Sequence, residues 1–214
     1  MVEGRLKKAL TVGNIVNQSV KRIDFEGDFQ LAFKSPQNKG VWFIWGGSGS
    51  GKSSFVIQLE KQFARSVRTF HNELEEDLDS DEFIERVKLN QMQDVQDNYL
   101  SASYNYNELC TYLDKNKSIK VITINSATYF FSSFEQYLDF KIKYKNRIII
   151  IVAHAQGKQP YSELEKRIMF NANQKIFVEG YLAACKGRTI GPNGGLFIIW
   201  DEGYQKLRGQ QSED

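Results

Sequence analysis

The feature that most constrains this chain is a short stretch in its first quarter. Val41-Trp42-Phe43-Ile44-Trp45 is a continuously apolar, β-prone run. A strand buried on both faces reads this way, without polar alternation. It is followed at once by GGSGSGKS at 46–53, and then by Phe55, Val56, Leu59 and Phe63 at helical spacing. Strand, glycine-rich turn and amphipathic helix are thus joined with no spare residues.

The spacing Gly46-x4-Gly51-Lys52-Ser53 meets the phosphate-loop pattern in full. Glycines let the backbone turn tightly and aim successive N–H groups at phosphate oxygens. The helix that follows adds its positive end. Gly46, Gly47, Ser48, Gly49, Ser50, Gly51, Lys52, Ser53 and Ser54 are the expected nucleotide contacts. Lys52 is expected on the β- and γ-phosphates and the Ser53 hydroxyl on Mg²⁺. No guanine-reading NKxD sequence is present, which favours ATP over GTP.

Downstream, strand and helix patterns alternate. Val67 to Asn72, Lys120 to Ile124 and Arg147 to Ala153 read as strands. Asp79 to Glu82 opens one helix, and Asn105 or Asn107 caps another. Ser133 to Gln136 reads as a capping box, with Phe134, Tyr137, Leu138 and Ile142 as the buried stripe behind it. This alternation predicts an α/β fold, a mainly parallel sheet flanked by helices. After Asn173 the pieces shorten, and Gly191 to Gly195 predicts a C-terminal β-hairpin between Tyr181–Lys186 and Leu196–Trp200. The expected division is an N-terminal extension or arm over 1–38, a core over 39–208 and a flexible tail over 209–214.

Ligands of open α/β sheets sit at the C-terminal ends of the strands. The second strand leads into Glu75 and Glu76, either of which is able to polarise a water; the same residues also fit a solvated acidic run with Asp77, Asp79, Asp81 and Glu82. The third strand ends in Asn125, where a magnesium site would ordinarily place an aspartate. An amide brings no charge. A doubly charged cation and a carboxylate ~4.5 Å apart attract by roughly 7 kcal/mol at an effective dielectric of 20, before desolvation. Asn125 therefore predicts weaker magnesium coordination or slower hydrolysis. The fourth strand ends at His154 and Gln156, both placed to sense a γ-phosphate or simply to cap the strand.

In this order the motifs resemble the RecA-like ATPase superfamily, above all its short phage and prophage nucleotide-binding proteins. The resemblance runs from about Val41 to Gly209 and is carried by GGSGSGKS, NELEE at 72–76, ITINS at 122–126, IIIIVAHAQGK at 148–158, FVEGYLAACKGRTIGPNGG at 177–195 and FIIWDEGYQKL at 197–207. It implies Glu75 as the residue that activates water, with Glu76 beside it, and Gln156 or His154 as the sensor. It implies Lys186 and Arg188 as a pair reaching a neighbouring subunit's γ-phosphate, hence a homo-oligomeric ring or filament. Asn125 departs from the family pattern.

The resemblance thus implies an ATPase, with ATP/ADP and Mg²⁺, acting on single-stranded DNA in phage or mobile-element recombination or replication. A second reading is a nucleotide-gated interaction module with little hydrolysis. A small-molecule kinase fits less well, because no arginine-rich lid is visible between Asn116 and Lys166. The net charge of +2 does not by itself point to nucleic acid; Lys7, Lys8, Lys21, Arg22, Lys141, Lys143, Lys145 and Arg147 are the basic residues available for a phosphate backbone. Cys110 and Cys185 form no metal-binding pattern and read as reduced. With no signal-peptide pattern and no apolar run near the ~20 residues of a membrane helix, a cytoplasmic protein is expected.

Overall fold

The structure, a computed structural model, describes residues 8–187 and 190–211. The elements in chain order are α1 (Val12–Val16), α2 (Gly27–Phe33), β1 (Gly40–Gly46), α3 (Lys52–Ala64), β2 (Thr69–Glu73) and α4 (Asp81–Leu89). A 3₁₀ turn (Met92–Val95) leads to β3 (Tyr99–Ala102), α5 (Tyr106–Lys115), β4 (Val121–Asn125), α6 (Ala127–Phe130) and α7 (Phe134–Lys143). The chain ends with β5 (Ile148–Gln156), β6 (Gln159–Pro160), α8 (Glu163–Asn171), β7 (Gln174–Glu179), β8 (Leu182–Cys185), β9 (Leu196–Ile198) and α9 (Asp201–Gln211).

The strands form one sheet in the order β3-β2-β4-β5-β1-β7-β8-β9, with β6 folded onto the end of β5. From β3 to β7 every pairing is parallel. Strands β8 and β9 then turn back as antiparallel neighbours. The expected hairpin is present, and β7 with β8 forms another before it.

The apolar run of β1 is divided between two cores. Val41, Phe43 and Trp45 face α5, α7 and α8, whereas Trp42 and Ile44 face α2 and α3. This is why the run does not alternate with polar residues: both sheet faces are covered. The helical stripe Phe55, Val56, Leu59 and Phe63 lies in the second core. Ile23, Phe25, Ala32 and Phe33 are buried in the same core, so the chain before β1 packs under α3 from Ile23 onward.

Two local expectations are corrected. On α7 the buried centre is Tyr137 and Phe140, continued by Tyr144 at the C-cap, while Ile142 is 65% exposed. Ile142 lies roughly 200° around the helix from Phe140 and so faces away from the sheet. The cap of α7 is half a box: Ser133 Oγ accepts from the Gln136 N–H at 3.1 Å, but Gln136 Oε1 accepts from Ser132, one residue earlier. Helices α8 and α9 and strand β3 were not anticipated, and α9 runs on to Gln211, into the expected tail. Among the described residues no helix is long and apolar enough to cross a membrane.

Candidate functional site

The loop leaves β1 at Gly46, which the sheet holds between β5 and β7 opposite His154 and Val178. A Cβ on Gly46 would lie 2.4 Å from the Val178 carbonyl oxygen, so only glycine fits. Gly51 closes the loop at φ +92°, a conformation L side chains rarely adopt, with the Tyr181 ring against it. Tyr181 N–H donates to the Ser50 carbonyl at 3.0 Å, tying the loop to the β7–β8 turn. Helix α3 then starts at Lys52 with no side-chain cap. Its first N–H groups are left to an anion, where the helix dipole also favours negative charge.

These residues form one wall of a cleft of ≈ 390 Å³. It is lined by the loop from Gly47 to Ser54 together with Glu75, Arg86, His154 and Tyr181. Lys52 is 7% exposed. Burial lowers its pKa, against the opposing pull of Glu75 and Glu73. Glu75 Oε1 lies 2.7 Å from His154 Nε2, so the ends of β2 and β5 meet across the cleft. Glu76 is turned aside and pairs through both oxygens with the Arg86 guanidinium on α4. Arg86 thus brings a cation to the cleft from its own chain, and no spacing in the sequence marked it.

The remaining expected residues lie elsewhere. Gln156 is exposed at the β5–β6 turn, opposite Gln159, and does not line the cleft. Lys186 is exposed just past β8, and its N–H bonds Lys175, which pairs with Phe43. It therefore sits level with the middle of β1, away from its own loop. Arg188 lies outside the described residues.

Asn125 is buried at the end of β4, directly beside Glu73 of β2. Its Nδ2 donates to both oxygens of Glu73, at 3.0 and 2.7 Å. Glu73 also accepts the N–H groups of Leu74 and Glu75, and its Oε2 lies 3.0 Å from His71 Nε2. The other ring nitrogen of His71 lies 2.7 Å from Glu60 on α3, and Tyr99 donates to that same carboxylate. Burial disfavours charge on His71, but Glu60 and Glu73 outweigh it and raise its pKa to about 10. Burial likewise opposes charge on Glu73, yet His71, Asn125 and the Glu75 N–H hold its carboxyl below the usual range. Sequence reasoning passed over Glu73 and His71. Their spacing of two along β2 was the available signal, since it puts both on one side of a strand.

The residues fit a magnesium nucleotide. Among the described residues the buried oxygens Ser50 Oγ, Asn125 Oδ1 and Ser126 Oγ have no hydrogen-bond partner, an expensive state unless something else meets them. Among the described residues there is no cluster of three His, Cys, Asp or Glu able to hold a metal alone. Magnesium needs none, because it retains several waters and is bound by one or two protein groups plus substrate phosphates. A second cavity of ≈ 420 Å³ adjoins the cleft, sharing Ser54 and Tyr181 with it and adding Gln58, Leu89, Asn90, Ile199 and Trp200. Tyr181 and Trp200 meet edge to face there, with ring centroids 4.9 Å apart.

A comparison with protein-family models finds no match, and neither does one with curated proteins. Solved structures do match. A KaiC-like protein from the archaeon Pyrococcus horikoshii OT3 superposes with a TM-score of 0.60 at 16% identity, covering 80% of this chain and 91% of that one. The flagellar accessory protein FlaH from Methanocaldococcus jannaschii gives 0.59 at 16%, with coverages of 83% and 91%. The fold is RecA-like. In this RecA-like frame the loop strand β1 is separated from β4 by β5, and β2 lies beyond β4. That order places Gly46, His154, Asn125 and Glu73 at the same end of four consecutive strands.

Proposed function

We propose that this chain binds ATP with Mg²⁺ at Gly46–Ser53 and hydrolyses it slowly. The observation that carries the reading is the cleft itself, in which open α3 N–H groups, Lys52 and the Glu75–His154 pair converge. The loop N–H groups and Lys52 hold the β- and γ-phosphates. Ser53, through its hydroxyl, would hold the magnesium, and Asn125, through its amide oxygen, would support it from the end of β4. Magnesium, when bound, neutralises charge on the β- and γ-phosphate oxygens. Glu75 orients the attacking water, and His154 holds Glu75 in place and faces the γ-phosphate. Glu76, engaged by Arg86, is assigned no proton transfer. The base lies against Tyr181 and Trp200, whose ring faces and edges suit a flat heterocycle.

Lys52→Ala tests the binding site. For the unaltered protein, ATP with magnesium at a hundred times Kd should stabilise the fold by about 2.7 kcal/mol, read as a thermal shift. The variant should lose that shift while melting normally without ligand. An unchanged shift would refute nucleotide binding at this loop.

The trans role of Lys186 and Arg188 enters here as a proposal supported by the resemblance and by the position of Lys186 away from its own loop. Arg188→Ala should lower turnover and leave ATP affinity intact; a collapse of affinity would assign Arg188 to its own subunit. A nucleotide-gated module with little hydrolysis is the second reading, favoured by Asn125. Action on single-stranded DNA rests on the sequence resemblance, since neither structural neighbour's name refers to DNA. Its signature would be an affinity that falls steeply with salt.

A further inference from the structure

Asn125 looks like the loss of an acid, but its surroundings point to a displaced one. Glu73 stands one strand over, directly in register with it, and receives the Asn125 Nδ2 on both oxygens. This contact decides which way the amide faces. Reversing it would set Oδ1 against a carboxylate that offers only acceptors, so Nδ2 must point toward Glu73. Oδ1 is then turned away from Glu73, and it is the atom left buried and without a partner among the described residues. Glu73 is itself fixed by the Leu74 and Glu75 N–H groups and by His71, which Glu60 holds from the far side. Its charge also acts on Lys52 of the phosphate loop.

We infer that Glu73 and Asn125 together replace the missing aspartate: Glu73 supplies the negative charge, and Asn125 presents the oxygen that meets a magnesium-bound water. Glu73 is a positioning residue in this scheme, because it acts through Asn125 and not on the nucleotide. The inference rests on the nucleotide reading above. Restoring aspartate at position 125 would then not simply return an acid to the magnesium side. Asn125→Asp alone would set two carboxylates in contact, whereas exchanging both residues would return an acid and an amide to the same contact with their places reversed.

The test has two arms. In the first, ligand-free thermal denaturation is measured for N125D, E73Q and the double variant. The pair predicts that N125D lowers Tm and that the two changes together cost less than their sum. In the second, Mn²⁺ replaces Mg²⁺, and its affinity for the protein–ATP complex is read from the paramagnetic resonance signal of bound Mn²⁺. E73Q should weaken Mn²⁺ by about 10–100-fold, the usual cost of removing a group that orients a metal's partner. E73Q/N125D should recover the Mn²⁺ affinity. Asn125→Ala, which puts no charge in the core, should show the same loss if E73Q fails to fold. Additive melting costs, or Mn²⁺ binding indifferent to both E73Q and N125A, would overturn the inference alone. Absence of Mn²⁺–ATP binding by the unaltered protein would overturn the nucleotide reading as well, so the two failures are distinguishable.

Discussion

At the scale of single residues, the unusual investment is His71. A buried imidazolium held between Glu60 and Glu73 ties α3 to β2 beneath the phosphate loop. Its pKa of about 10 lies above the free value of 6.5. The ion pairs therefore contribute in full below about pH 6.5 and fade as pH rises through 10. Glu73 acts in the opposite sense: its lowered pKa gives stability that is present above 4.5 and lost as acid protonates it. His71→Gln should cost about 3–5 kcal/mol at neutral pH, because two carboxylates stay buried without their cation. Urea denaturation at several pH values checks this. The unaltered protein should weaken between pH 7 and 10 and the variant much less, so parallel decline in both would reject the assignment. The glycine-rich loop was readable in the sequence because its chemistry is contiguous. Glu73, Asn125 and Glu60 were not readable as a set, since they meet only after three elements pack together.

At the scale of elements, periodicity located α3 and the inner strands, where apolar residues crowd a strongly buried face. It missed α8, in which Glu163, Glu165, Lys166 and Arg167 dominate and the buried Ile168 and Met169 come only near the end. That helix is set by its start. Ser162 and Glu165 form a reciprocal capping box, and the buried Glu165 also accepts from Thr128 at 2.7 Å. Glu165→Ala should therefore lower stability by about 1–3 kcal/mol, more than an ordinary exposed helix residue. Chemical denaturation checks it, and Glu165→Gln should recover most of the loss because its carbonyl still accepts. Strand β3 escaped notice for another reason: it is a half-buried edge strand of four residues, paired among the described residues with β2 alone. Such a segment has neither a continuous apolar run nor a clean alternation to announce it.

At the scale of the whole molecule, the sequence foretold a parallel sheet with helices on both faces and a terminal hairpin, because two-sided burial leaves uninterrupted apolar strands. It did not foretell how the residues before β1 would pack, since their apolar side chains are spread through polar sequence. Phe25 lies 4.9 Å from Phe63, and Phe33 lies 5.5 Å from Trp42, centroid to centroid. Loss of a buried phenylalanine costs about 3–5 kcal/mol each. Deleting residues 1–20 should leave the melting temperature nearly unchanged, whereas deleting 1–38 should abolish cooperative unfolding. Circular dichroism melts of the two truncations decide this, and equal stability would mean that this segment is dispensable to the core. The same packing distributes the three tryptophans unevenly. Trp42 and Trp45 are sealed on opposite sides of β1, while Trp200 is 50% exposed beside Tyr181 at the cavity adjoining the cleft. The chain therefore carries its own optical reporter: two emitters shielded from solvent quenchers set a constant blue-shifted background, and the third changes its emission when a ligand covers the indole.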